Sequence, residues 1–221
     1  MDYQFDFSVV TQNFGALLQG LLVTAELWVI CAAGGATLGV CIALARLSPR
    51  RWLSLPSLVY VQLFRNTPVL IQLIWFYYAF PIVVGQQLTP FVAVVLGLGL
   101  NTSAYCAEIF RGGIISLTRG QWEGAKAIGM SQSMALRRVI MPQVFRRMLP
   151  ALTNRVIEVG KMSSLASVLS VPELMYQGRL LSSTFYRPFE VITTLAIIYF
   201  LLIFPSGLFS RWLEVRMARG K

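Results

Sequence analysis

The chain has 221 residues, 56% of them hydrophobic and 13% charged, with a net charge of +10 and a mean hydropathy of +0.66. Soluble domains carry roughly 45–50% apolar and about 25% charged residues. The balance therefore excludes an ordinary soluble enzyme and points to an all-α polytopic membrane protein.

The opening segment, MDYQFDFSVV, is acidic and lacks a basic n-region, so no cleaved signal peptide is expected. A bilayer-crossing helix needs about 20 apolar residues. Five stretches meet that need: 21–45, 57–83, 88–110, 156–176 and 189–209, the fourth being the least hydrophobic. Cys31, Cys41 and Cys106 lie in these apolar runs. They read as small packing residues, since no Cys-x-x-Cys or Cys/His cluster surrounds them.

The cations sort by side. Arg46, Arg50 and Arg51 follow the first span. Arg111, Arg119, Lys126, Arg137, Arg138, Arg146, Arg147 and Arg155 follow the third, and Arg211, Arg216, Arg219 and Lys221 form the tail. The opposite side has only Arg179 and Arg187, while Arg65 and Lys161 fall inside or at the edge of spans. The positive-inside rule then predicts an outer N-terminus and a cytoplasmic C-terminus. Topology accounts for the charge, so nucleic acid is not an expected partner; lipid is.

Span two carries Arg65-Asn66-Thr67-Pro68. Pro68 removes a backbone donor and biases Thr67 away from helix, which predicts a kink. Asn66 and Thr67 then satisfy either the freed carbonyls or a ligand, and Pro68 is either a plain bend or a hinge lining a path. Glu108 near the end of span three and Arg65 either approach each other, face a pore, or snorkel to the interface. Tyr105 is a candidate cavity residue, although aromatic residues near span ends commonly anchor the interface. In span four, Glu158 and Lys161 are spaced to pair on one helix face.

Between spans three and four lies a basic, broken segment, 116–142, most of which falls within GQWEGAKAIGMSQSMALRRVIMPQVF, residues 120–145. Its pattern predicts one helix over 116–128 and another over 131–141. Gly129 suits the C-terminus of the first and Ser131 the N-cap of the second. Trp122, Ala125 and Ile128 are spaced to share a face. Such a knob either lies on lipid, packs on its own protein, or inserts into a soluble partner.

The order Glu123-Gly124-Ala125, then Gly129, then Ile140-Met-Pro142 resembles the E-A-A, G, I-x-L-P signature of permease subunits of bacterial ABC importers. It departs at Gly124, where alanine is usual, and at Met141, where leucine is usual. LFRNTPVLIQLIWFYYAFP, AYCAEIFRGGIISLTRGQWEGAKAIGMS and MPQVFRRMLPALTNRVIEVGKMSSLASVLSVPEL resemble further motifs of the polar amino acid subfamily. The resemblance covers nearly the whole chain and implies one transmembrane domain over 1–221.

It further implies import of a polar amino acid across the bacterial inner membrane. The implied partners are a second permease, identical or paralogous, two cytoplasmic ATPases and an external binding protein. Glu123, Gly124, Ala125, Ile128, Gly129, Met130 and Ser131 would form the coupling helix that docks on the ATPase. Lys161-Met162-Ser163-Ser164-Leu165 resembles the family's K-D-T-S-L element along the translocation route. Met162 stands where aspartate is usual, and a missing carboxylate beside Lys161 favours an acidic or neutral substrate such as glutamate, aspartate or glutamine.

The chain has no G-x-x-x-x-G-K-[ST] phosphate loop. With no histidine, no metal-ligand cluster and no nucleophile–base constellation, no catalytic, metal or cofactor site is expected either, and ATP with its Mg2+ would bind the partner ATPase. The alternative reading is an ATP-independent secondary transporter or channel. Five spans do not divide into the two related halves that inverted-repeat transporters usually show.

Overall fold

The computed structural model describes residues 4–117 and 119–218. They are helical almost throughout, with no strand among them. A short helix α1 (Ser8–Gln12) leads into the long α2 (Phe14–Leu47). Then come α3 (Arg51–Arg65), α4 (Val69–Ile74) and α5 (Phe80–Val84), the last two joined by a π-helical turn over Trp75–Ala79. Next follow α6 (Pro90–Ile115), α7 (Arg119–Ala127), α8 (Gln132–Ala135) and α9 (Met141–Met162). The last described helices are α10 (Leu174–Phe185) and α11 (Pro188–Ala218).

Among the described residues, three helices are long and apolar enough to cross a membrane: Phe14–Leu47, Pro90–Ile115 and Pro188–Arg216. A bent pair, Arg51–Arg65 with Val69–Val84, makes a fourth if counted as one span. The predicted span over 57–83 is thus broken, by 107°. The predicted span over 156–176 is not one helix either. It comprises the end of α9, a 3-10 segment Ser163–Leu169 and the start of α10. Two local causes act there: Ser170 takes a left-handed φ of 58°, and Pro172 cannot donate to a helix.

The interior begins with a seam of small residues between α2 and α6. A Cβ on Gly35 would lie 2.6 Å from Thr102 Cγ2, and one on Gly39 would lie 2.5 Å from Cys106 Cβ. Backbones approach this closely where side chains are minimal, which is how helices gain packing contacts in lipid. Cys31 and Cys106 are buried packing residues; Cys41 is exposed.

The largest buried cluster joins α2, α4, α6 and the end of α9 through Leu27, Leu73, Val94, Leu98 and Val159. A second cluster, with Leu17, Leu174, Leu181, Val191 and Leu195, packs α10 and α11 against the start of α2. Glu173, fully buried, caps α10 by accepting from the backbone of Met175 (3.0 Å) and Tyr176 (2.8 Å). The hydroxyls of Tyr199 (2.9 Å) and Thr24 (3.3 Å) complete its shell. Four donors offset the loss of water around a buried carboxylate.

Candidate functional site

Two regions gather the polar residues: an elbow after α6, and a chain of side chains running from α9 to the bend after α3.

The elbow's first arm is α7. It ends at Gly129, whose φ of 76° is left-handed. Gly129 N donates to Lys126 O (3.0 Å) and Met130 N to Ala125 O (3.1 Å), the paired bonds of a Schellman stop. Ser131 Oγ then accepts from Met134 N at 3.4 Å and caps α8. The predicted break thus stands where glycine and serine place it. The first arm begins at Arg119 rather than 116, because α6 runs on to Ile115; Thr118 lies outside the described residues.

The second arm differs from the expected short helix over 131–141. From α8 the chain passes through a π-helical turn, Leu136–Ile140, directly into α9 and continues to Met162. Pro142 explains the turn. It has no N–H for the carbonyl four residues back, and its ring crowds that turn, so one widened turn absorbs the mismatch. The other π turn, Trp75–Ala79, stands in the same register before Pro81.

Trp122 packs against Leu117, Ile140, Val144 and Met148, and Ala125 is buried. Ile128 does not join them: it is 72% exposed. Glu123, Gly124, Lys126 and Ser131 are also exposed. Trp122, Glu123, Lys126, Met130, Gln132 and Ala135 line a hollow of about 400 Å3 at the crook. Arg147 holds the elbow to α6 by donating to Ser116 O at 2.7 Å.

The second region starts at the bend. Pro68 deprives the Phe64 carbonyl of its helical donor. Two side chains replace it: Asn101 Nδ2 donates at 2.7 Å and Gln72 Nε2 at 2.9 Å. Thr67 Oγ1 donates to Leu63 O (2.8 Å) and accepts from Gln72 Nε2 (2.6 Å). Asn66 Nδ2 donates to Gln62 Oε1 at 2.8 Å. The freed carbonyls are therefore met from within the protein, largely by Gln72 and Asn101, which sequence reasoning had not singled out.

Glu108 and Arg65 do approach, at 3.8 Å, but as part of a larger cluster. Arg111 Nη2 donates to Glu108 Oε2 at 2.8 Å, and Arg46, from the end of α2, pairs with Oε1. One carboxylate thus ties the ends of α2 and α3 to α6. Arg65 also lies over the Tyr105 ring (5.2 Å), whose hydroxyl donates to Arg65 O at 3.5 Å. Arg155 also lies over this ring, 4.2 Å from its centre.

Arg155, counted above with the loop cations, is 3% exposed. It donates to Asn101 Oδ1 (2.7 Å), Thr102 Oγ1 (3.4 Å) and Glu158 Oε2 (3.1 Å). Glu158 pairs with Arg155, one turn back, and not with Lys161 as its spacing allowed. Lys161 stands apart in a groove of about 500 Å3 between α9 and α11, with Ile157, Tyr199, Phe204 and Arg211. Ser163 is buried and donates to Gly160 O (2.8 Å); Ser164 donates to Lys161 O (2.8 Å). Met162 packs against the main core. The K-M-S-S-L element is therefore not one lined surface: its serines cap a helix end, and Lys161 alone faces the groove.

The available signals for the missed residues were Gln72 and Asn101, polar side chains in otherwise apolar runs. Nothing in sequence separated Arg155 from its basic neighbours.

Residues 35–219 match the family described as binding-protein-dependent transport system inner membrane component. The chain is 40% identical over 208 residues to the octopine transport system permease protein OccM of Rhizobium radiobacter, covering 90% of this chain and 85% of that one. It is 33% identical over 215 residues to the glutamine transport system permease protein GlnP of Escherichia coli K12, covering 97% and 98%. A crystal structure of an amino acid ABC transporter with histidines superposes with a TM-score of 0.89 at 34% identity, covering 97% of this chain and all of that one. An inward-facing MetNI methionine ABC transporter shares the fold, with a TM-score of 0.70 at 19% identity, covering 91% and 98%. Extent and identity together show that this chain belongs to the binding-protein-dependent inner membrane components, among the amino acid ABC permeases.

Proposed function

We propose that the chain forms one half of the path by which an ATP-driven importer carries a polar amino acid across the bacterial inner membrane. An external binding protein delivers the substrate. A second permease, identical or paralogous, supplies the other half, and two ATPase subunits bind ATP and Mg2+. The N-terminus lies outside and the C-terminus in the cytoplasm, with five crossings if the bent pair and the broken stretch 156–176 each count as one. The observation that carries this reading is an elbow that exposes Glu123, Gly124, Lys126, Ile128 and Ser131, on a chain with no phosphate loop. Nucleotide energy must then enter by mechanical contact, and the elbow, capped at Gly129 and Ser131, is the feature that receives it.

The arriving substrate is an acidic or neutral amino acid, with glutamate, aspartate and glutamine the expected class. Support comes from Lys161 lining its groove beside Arg211 with no carboxylate at 162. Ligand charge is favoured by opposite charge in a low-dielectric site. Asn66, Thr67, Tyr105, Glu108 and Glu158 are the other candidates for the path, with Pro68 as its hinge.

Reconstitution with the ATPase and binding protein tests the scheme. Amino-acid-stimulated hydrolysis is expected, and Glu123→Arg or Gly129→Pro should lose coupling or assembly while the protein still inserts. Uptake without any ATPase would replace the scheme with a secondary transporter or channel. Competition among arginine, glutamine and glutamate tests the substrate class; a strong arginine preference would overturn it.

A further inference from the structure

The elbow's second arm and α9 form one helical path from Gln132 to Met162. A push on the elbow therefore travels along a continuous rod. Near the far end of that rod sits Arg155, buried, with its guanidinium against α6. Arg155 Nη2 donates to Asn101 Oδ1 at 2.7 Å, and Asn101 Nδ2 donates to Phe64 O at 2.7 Å. Phe64 O is the carbonyl that Pro68 leaves without a helical donor, at the 107° bend. Two short hydrogen bonds thus connect the rod to the backbone of the bend.

Two further features bear on this connection. Trp28 Nε1 donates to Val156 O at 2.6 Å, and a Cβ on Gly160 would meet the Trp28 ring at 2.7 Å. The rod is therefore held closely against α2 beside Arg155, and small displacements there are transmitted rather than absorbed by a gap. Arg155 Nε and Gln72 Oε1, at the two ends of the relay, are buried without a hydrogen-bond partner. Buried polar groups are normally paired, so each has capacity for a partner in a second arrangement of the same helices.

We propose that Arg155 is a positioning residue that couples displacement of α9 to the angle of the bend at Asn66–Pro68, through Asn101. This deepens the transport reading above and rests on it: the elbow supplies the motion, and Arg155 passes it to the broken helix. When α9 shifts, the guanidinium moves with it and pulls or releases Asn101, which resets the side-chain support that Phe64 O receives beside that from Gln72. A bend so controlled changes direction in concert with the ATPases.

The test uses the assembled complex with its ATPase, second permease and binding protein, in a background with Cys41→Ser. Two pairs of spin labels report separately: Ser133 with Leu44 for the elbow, Ile71 with Leu22 for the segment beyond the bend. In the unaltered relay, adding ATP with vanadate should change both distances. In Arg155→Gln the elbow distance should still change, and the bend distance should not. Transport should fall at least tenfold while ATP hydrolysis stays within twofold, so transport per ATP collapses. Asn101→Ala cuts the same relay from the other end and should give the same split, with no added loss in the double variant. Parallel loss of hydrolysis and transport, persistence of both distance changes in Arg155→Gln, or failure of both variants to assemble would overturn the relay. Absence of any elbow movement in the unaltered complex would instead overturn the transport reading beneath it.

Discussion

Glu108 is matched to three cations, and that count decides how it responds to substitution. Glu108→Gln would leave Arg46, Arg65 and Arg111 facing one another. Breaking a partly buried ion cluster by removing its shared partner costs up to about 3–5 kcal/mol, less where water screens it. Thermal unfolding of the detergent-solubilised protein should therefore show a larger loss for Glu108→Gln than for Arg65→Ala, whose guanidinium is 3.8 Å away and over a third exposed. Exchange of the two charges, Arg65→Glu with Glu108→Arg, should not restore the single reversals. Arg46 and Arg111 would still face a cation at position 108. Transport regained by the exchange would mean that Arg65 and Glu108 act as an isolated pair.

Helix packing makes sharper contrasts between neighbouring glycines. Gly34 has nothing within 4 Å of its missing Cβ, whereas Gly39 would place one 2.5 Å from Cys106 Cβ and 2.9 Å from Ser103 O. Gly34→Ala should be neutral to within about 0.5 kcal/mol. Gly39→Ala should cost about 1–3 kcal/mol by forcing α2 away from α6. A similar contrast applies within the elbow. A Cβ on Gly124 would meet nothing within 4 Å in this chain, so Gly124→Ala should leave the fold of the elbow unchanged. Gly129 requires its left-handed φ, and Gly129→Ala should cost about 1 kcal/mol and loosen the stop between the arms. Limited proteolysis across 127–132 reads that loosening directly: faster cleavage in Gly129→Ala and no change in Gly124→Ala is the expected outcome.

At the scale of the whole molecule, the elbow, the rod and the bend are parts of one mechanical line. The line is laid out by prolines as much as by apolar residues. Pro142 widens the turn through which the elbow joins α9, and Pro68 opens the carbonyl on which α6 and α4 converge. Much of this was legible locally. The break at Gly129 and Ser131, the kink at Pro68 and the apolar runs of α2, α6 and α11 follow from the conformational preferences of single residues or from composition over about 20 residues. The fourth apolar run misled because hydropathy averages over a window and does not register a left-handed serine or a missing proline donor inside it. Glu158 and Lys161 misled because an i,i+3 spacing permits a pair without choosing between two neighbours at equal spacing, Arg155 on one side and Lys161 on the other.

The amino-acid sequence by itself determined a helical membrane protein, the site of its broken elbow, the position of its bend and the absence of a phosphate loop. Each of these depends on interactions within a few residues, or on how a stretch partitions between water and lipid. The tertiary structure decided that Arg155 is buried, that Glu108 has three partners, and that Asn101 spans α9 and the bend. Those facts depend on which helices lie side by side, and polar groups separated by 37 and 54 positions meet only once α6 has packed between its neighbours.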